Sequence, residues 1–123
     1  MPDEDGFEAA QDCQDWLRLR LGDKVQFEVQ APYLVDPALE TRRESLIVQA
    51  AEQSHISATG VPNFCQGAHY GTDGSKLARA GIETVVCGPG DIAQAHTKSE
   101  YVEVTQLEQA LRVYDDLIQR WGY

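Results

Sequence analysis

Gly81 and the triplet Gly88-Pro89-Gly90 bracket the run Ile82-Glu83-Thr84-Val85-Val86-Cys87. Its β-branched, near-continuous apolar character predicts a strand covered on both faces. Such a strand belongs to an α/β sheet, with layers above and below it. The residues just before it agree: Thr72 or Asp73 can cap a short helix through Leu77 and Ala80, and Gly81 can end that helix in the left-handed conformation.

The first half of the chain reads as helix, strand, helix. Phe7, Ala10, Cys13, Leu17 and Leu21 recur at helical spacing behind Asp3, Glu4 and Asp5, with Gly22 as a stop, which predicts a helix with one buried stripe. Val25, Phe27, Val29 and Ala31 then alternate with polar residues, the period of a strand with one wet face. Thr41 and Glu44 have capping-box spacing ahead of Leu46, Ile47 and Ala50, predicting a helix to about Gln53. This order suggests an incomplete α+β sandwich. Residues 57 to 67, rich in Gly, Ser, Thr, Pro and Asn, read as the crossing to a second structural unit.

Beyond the strand, Gly88-Pro89-Gly90 opens a loop holding His96 and Glu100, and Tyr101 to Val104 return to extended chain. Thr105 and Glu108 form a second capping-box pair before a terminal helix whose apolar face carries Leu107, Ala110, Leu111, Tyr114, Leu117, Ile118 and Trp121.

Ten Lys and Arg against twenty Asp and Glu give a net charge of -10, which repels a phosphate backbone and argues against a nucleic-acid partner. The longest apolar stretches fall far short of a membrane span, and the acidic N-terminus does not read as an export signal. Cys13, Cys65 and Cys87 are odd in number and widely spaced, so they suggest neither a disulfide framework nor a zinc ribbon; a reducing cytoplasm fits best.

Three elements in order carry a family likeness. They are Gly71-Thr72-Asp73-Gly74-Ser75-Lys76-Leu77-Ala78-Arg79-Ala80-Gly81-Ile82, then Val85-Val86-Cys87-Gly88-Pro89-Gly90, then Ala95-His96-Thr97-x-x-Glu100-Tyr101-Val102. Together they resemble the C-terminal signature of the zinc-dependent metallopeptidase family of acetylornithine deacetylase, succinyl-diaminopimelate desuccinylase, aminoacylase and the glutamate carboxypeptidases. The run from Gly88 to His96 is most similar to the Gly-Pro-Gly-x-Ile-x-Gln-Ala-His run of acetylornithine deacetylase, an enzyme of arginine biosynthesis.

The resemblance implies an α/β fold: the C-terminal part of a zinc-peptidase-like sheet domain over residues 59–123, preceded over residues 1–58 by part of an α+β lid that serves for dimerisation. Met1-Pro2-Asp3-Glu4-Asp5 looks like the acidic segment leaving an early lid strand, so the chain is expected to begin inside the lid. It also implies two zinc ions in the whole enzyme, held by a His-x-Asp element, a bridging Asp, a Glu-Glu pair and one late histidine. By residue-by-residue correspondence that histidine is His96, the single metal ligand expected here. Without the motif, His96 would read as a hydrogen-bonded loop residue, as His55 and His69 do.

The resemblance further raises Gly88 and Gly90 from turn formers to a backbone cradle for a substrate carboxylate or oxyanion. Thr72 and Asp73, at a helix start, are divided between capping and substrate contact. Glu100 is divided between surface charge and support of the loop that presents His96. One imidazole does not hold a zinc ion. The expectation is therefore a piece of an amidohydrolase of N-acyl amino acids, inactive alone, dimeric through its lid in the whole enzyme. A non-catalytic module that pairs with a full-length relative through the lid remnant is the alternative, since incomplete sheets have open edges.

Overall fold

The computed structural model describes residues 5–122; the acidic opening at positions 1–4, read above as lid chain, lies outside them. The elements in order are α1 (Gly6–Leu21), a 3-10 turn (Gly22–Lys24), α2 (Leu46–Thr59), α3 (Gly74–Arg79), a second 3-10 turn (Ile92–Gln94) and α4 (Val104–Gly122). The chain divides into two units. One holds the residues through Glu40 and Tyr70–Ile82; the other holds Thr41–His69 and Glu83 onward.

In the first unit, α1 starts where expected because the Asp5 carboxylate accepts the N–H groups of Phe7 (2.7 Å) and Glu8 (3.3 Å), two of the donors a helix start leaves open. It stops at Gly22, whose φ of 52° suits a residue without a Cβ. A Cβ on Gly6 would collide with Val35 Cγ1, so that glycine is fixed by close packing of the later segment. The expected buried stripe is not realised: no residue of α1 is buried, and Phe7 (61%) and Trp16 (55%) stand exposed. An amphipathic pattern specifies a face, and among the described residues that face is covered only in part: Ala10, Leu17 and Leu21 of the stripe are half-buried. In α3 the Thr72 hydroxyl accepts the Gly74 N–H at 3.2 Å, and Gly81 follows at φ 83°.

The second unit is built on α2 packed against α4, with Val48, Ala51 and Val113 buried between 2% and 5% exposed. Burial of a valine contributes about 1.5–3 kcal/mol. The helix α2, on the lid side of the expected division at 58/59, thus packs against the terminal helix. It begins at Leu46 without the expected capping box: the Thr41 hydroxyl donates instead to the Thr84 carbonyl, 43 positions away. It also runs past Gln53 to Thr59, because Thr59 Oγ1 turns back to the His55 carbonyl at 2.7 Å and Gly60, at φ 73°, supplies the left-handed stop. Similarly α4 begins at Val104, so Thr105 lies inside the helix while the Glu103 carbonyl accepts the Gln106 and Leu107 N–H groups at 3.0 and 3.3 Å.

The largest departure concerns the sheet. Among the described residues there is no β-strand: the runs Val25 to Ala31, Ile82 to Cys87 and Tyr101 to Glu103 carry no ladder. The expected α/β sheet and α+β lid are therefore not formed within these residues. A period-two pattern says which way side chains point, whereas a strand exists only when a partner accepts its backbone groups. Here the Ile82 N–H goes to the Leu77 carbonyl at 3.0 Å and the Thr84 carbonyl accepts from Thr41. No helix of the described residues is long and apolar enough to cross a membrane.

Candidate functional site

The His96 loop is fixed by its own backbone. Tyr114, on α4, donates its hydroxyl to the Cys87 carbonyl at 3.0 Å, holding the chain just before Gly88-Pro89-Gly90. Gly90 takes φ 100°, a conformation that excludes a side chain without strain. Asp91 then caps the short turn Ile92–Gln94 by accepting the Ala93 N–H at 2.9 Å, and the Ala95 N–H reaches the Ile92 carbonyl at 3.1 Å. The Thr97 hydroxyl closes onto the Gln94 carbonyl at 2.9 Å.

At the end of this series of turns His96 stands at φ 61°, alone among the described non-glycine residues in the left-handed region. That conformation costs an L-residue about 1–2 kcal/mol. The His96 N–H donates to Glu100 Oε2 at 3.0 Å, so Glu100 meets the backbone of His96 and the imidazole side chain is left exposed to solvent.

The other expected site residues separate into two groups. Gly88 and Gly90 share the unit and the loop of His96; Thr72 and Asp73 lie in the other unit. There the Thr72 hydroxyl accepts the Gly74 N–H, while Asp73, at the N-cap position of α3, makes no side-chain cap. Asp73 pairs with Lys76 at 2.6 Å, and that hydrogen bond, followed by the Lys76 charge, holds its carboxyl below the usual carboxylate range. Lys76 also approaches Asp36 at 3.7 Å, so the Asp73 charge is engaged within its own unit. His55 Nδ1 lies 3.0 Å from the Val61 carbonyl, a local helix-end contact, and His69 is exposed.

Two thiols stand near the loop. Burial pushes the Cys87 thiol up, although the residue as a whole remains exposed; burial also pushes Cys65 up, with Glu52 and Cys87 adding and Arg43 opposing. Both are protonated near neutrality and lack the thiolate a nucleophile needs. The donor set does not by itself fit a zinc ion. Zinc takes about four ligands, and no three His, Cys, Asp or Glu side chains among the described residues converge to hold a metal. The Tyr114–Cys87 contact, spanning 27 positions, was invisible to sequence reasoning; no local pattern marks a hydroxyl that reaches a distant carbonyl.

Residues 10–120 match the family described as Peptidase family M20/M25/M40. Among curated proteins, the chain is 30% identical over 123 residues to the N-formyl-4-amino-5-aminomethyl-2-methylpyrimidine deformylase of Bacillus subtilis, covering 96% of this chain and 28% of that protein. It is 33% identical over 86 residues to the acetylornithine deacetylase of Myxococcus xanthus, covering 69% of this chain and 21% of that protein. With the N-acetyl-L-citrulline deacetylase of Xanthomonas campestris it shares 39% identity over 76 residues, 58% of this chain and 21% of that protein. The chain thus spans between a fifth and three tenths of the length of these relatives. No solved structure matches it. With the match running over nearly its whole length, the chain belongs to Peptidase family M20/M25/M40.

Proposed function

We propose that this chain is the part of a metal-dependent amide hydrolase that supplies the late histidine ligand, in an enzyme that removes an acyl group from an N-acylated amine or amino acid. The observation that carries the reading is His96. A non-glycine residue held at φ 61°, hydrogen-bonded through its backbone to Glu100 and exposed at its ring, is strained where packing requires nothing of it. Strain of this kind collects at functional positions.

In this reading His96 gives one imidazole nitrogen to a zinc centre whose other ligands the described residues do not contain. A zinc ion held there would polarise the substrate carbonyl and activate a water. Gly88 and Gly90 leave the backbone open to a substrate carboxylate or oxyanion, and Glu100 fixes the loop. In the first unit, by itself, Thr72 and Asp73 are read as substrate contacts. A partial lid precedes the catalytic part and serves for pairing into a homodimer in the cytoplasm, and the piece alone is inactive. The relatives named as acetylornithine and acetylcitrulline deacetylases support an N-acyl amino acid as substrate; the deformylase supports the same bond with a formyl group.

The test is an assay of the protein that carries this chain for amine release from N-acetylornithine, N-acetylcitrulline and an N-formyl aminomethylpyrimidine. Hydrolysis that a chelator abolishes, zinc restores and His96→Ala lowers at least about 100-fold supports the reading. Hydrolysis indifferent to chelator or to His96→Ala would overturn it. The uncovered Phe7, Trp16 and Leu19 of α1 favour the second reading, a module that pairs with a full-length relative. That reading predicts co-purification of the chain with such a relative and no change in hydrolysis on His96→Ala.

A further inference from the structure

Nothing in the family reading assigns a role to Tyr114, yet it is the contact through which α4 holds the start of the His96 loop. Its hydroxyl donates to the Cys87 carbonyl at 3.0 Å, and a Cβ built on Gly88 would lie 3.7 Å from that same oxygen. The phenol therefore touches the last residue before the Gly-Pro-Gly turn and leaves room beside Gly88 for little more than a methyl group. At the far end the His96 N–H is held by Glu100 at 3.0 Å. Between these points the turns at Asp91, Ile92 and Gln94 are closed by bonds internal to the loop. Turns closed by single exposed bonds depend on the chain that leads into them being held, so releasing the Cys87 tie loosens the turns behind it and the group they carry.

We propose that Tyr114 is a positioning residue of the candidate site: by anchoring the Cys87 carbonyl to α4 it sets where Gly88, Gly90 and His96 stand. The proposal rests on the reading of this loop as the metal and substrate loop. Tyr114 does not touch the reacting atoms; it acts through the backbone. Tyr114, 38% accessible as a residue, contributes less to the α2–α4 core than buried Val113, so the hydroxyl and the packing of its ring are separable.

Tyr114→Phe removes the hydroxyl and keeps the ring, and amide hydrogen exchange of the chain reads the consequence. Exchange of the Gln94, Ala95 and His96 amides is expected to rise about two- to tenfold, the loss of one exposed hydrogen bond, while the α2 and α4 amides stay unchanged. In the unsubstituted chain, the carbonyl carbon resonance of Cys87 reports the bond directly and moves in Tyr114→Phe. Unchanged exchange in the loop, or an equal rise throughout α2 and α4, overturns the proposal, the second by making Tyr114 a packing residue. In the protein that carries the chain, Tyr114→Phe lowers kcat/KM by about two- to tenfold, and an unchanged kcat/KM overturns the positioning role. A lack of hydrolysis in the unsubstituted protein instead defeats the functional reading and leaves the exchange result standing.

Discussion

The Glu100 carboxylate accepts the backbone N–H of His96 at 3.0 Å, while His96 itself occupies the left-handed region at φ 61°. One exposed acidic side chain thus compensates a backbone conformation that its neighbour adopts at a cost. Glu100→Ala removes the acceptor, and exchange of the His96 amide rises about three- to tenfold. Glu100→Gln keeps an acceptor oxygen and recovers most of the protection. Equal exchange in all three proteins would show that the carboxylate does not hold the turn.

Strain and function separate at His96 itself. His96→Gly relieves the left-handed conformation and gains about 0.5–1 kcal/mol in urea unfolding, after allowing for the added freedom of glycine in the unfolded chain. His96→Ala keeps the backbone cost and shows no such gain. Both abolish the imidazole, so both lose hydrolysis in the protein that carries the chain. A loss of stability in His96→Gly would mean that the ring, not the backbone, matters to folding.

The α2–α4 contact makes an unequal pair of predictions along one helix. Val113 is 4% exposed, and Val113→Ala costs about 2 kcal/mol from lost transfer energy and the cavity left behind. Leu111, larger but 70% exposed, changes stability by less than about 0.5 kcal/mol when replaced by Ala. Chemical denaturation of the two variants checks the order, and a larger loss at Leu111 would place the core elsewhere.

Ser45 precedes α2 yet makes no side-chain cap, and its hydroxyl is buried without a partner at 7% exposure. A capping serine loses about 1 kcal/mol on change to alanine. Here the loss is absent: Ser45→Ala is neutral or stabilising by up to about 1 kcal/mol, because a buried unpaired hydroxyl is removed. Destabilisation in thermal melts would reveal a cap.

Acid sensitivity follows from Asp116. The hydrogen bond from Arg120 holds its carboxyl below the usual range in the folded chain. A depressed folded pKa contributes stability above the unfolded value of about 3.9, and that contribution disappears as pH falls through the lower folded value. Urea midpoints should therefore decline below about pH 4, and Asp116→Asn should flatten that limb. The Arg120 side chain is exposed and that of Asp116 partly so, which keeps the effect small and screened by salt.

Local signals were legible and non-local ones were not. Asp5 and Gly22 mark the ends of α1, and Gly81 the end of α3, because capping and positive φ are properties of single residues and their neighbours. The polar composition around His55 to Thr59 concealed the last turn of α2, where a threonine bonds back along the helix. The strand periods of Val25 to Ala31 and Ile82 to Cys87 are plain in the sequence, yet a ladder needs a partner that periodicity does not name. At the candidate site the motif singles out His96, Gly88, Gly90 and Glu100, and the structure places all four in one loop. The left-handed turn at His96 and the tie from Tyr114 to Cys87 depend on closure of the loop in space.

Anomalous scattering at the zinc absorption edge, from crystals of the protein that carries this chain, tests the assignment of His96 most directly. The account predicts a peak about 2.0–2.1 Å from one ring nitrogen of His96. A zinc site fully ligated without His96, or an imidazole turned away from the bound metal, would contradict it.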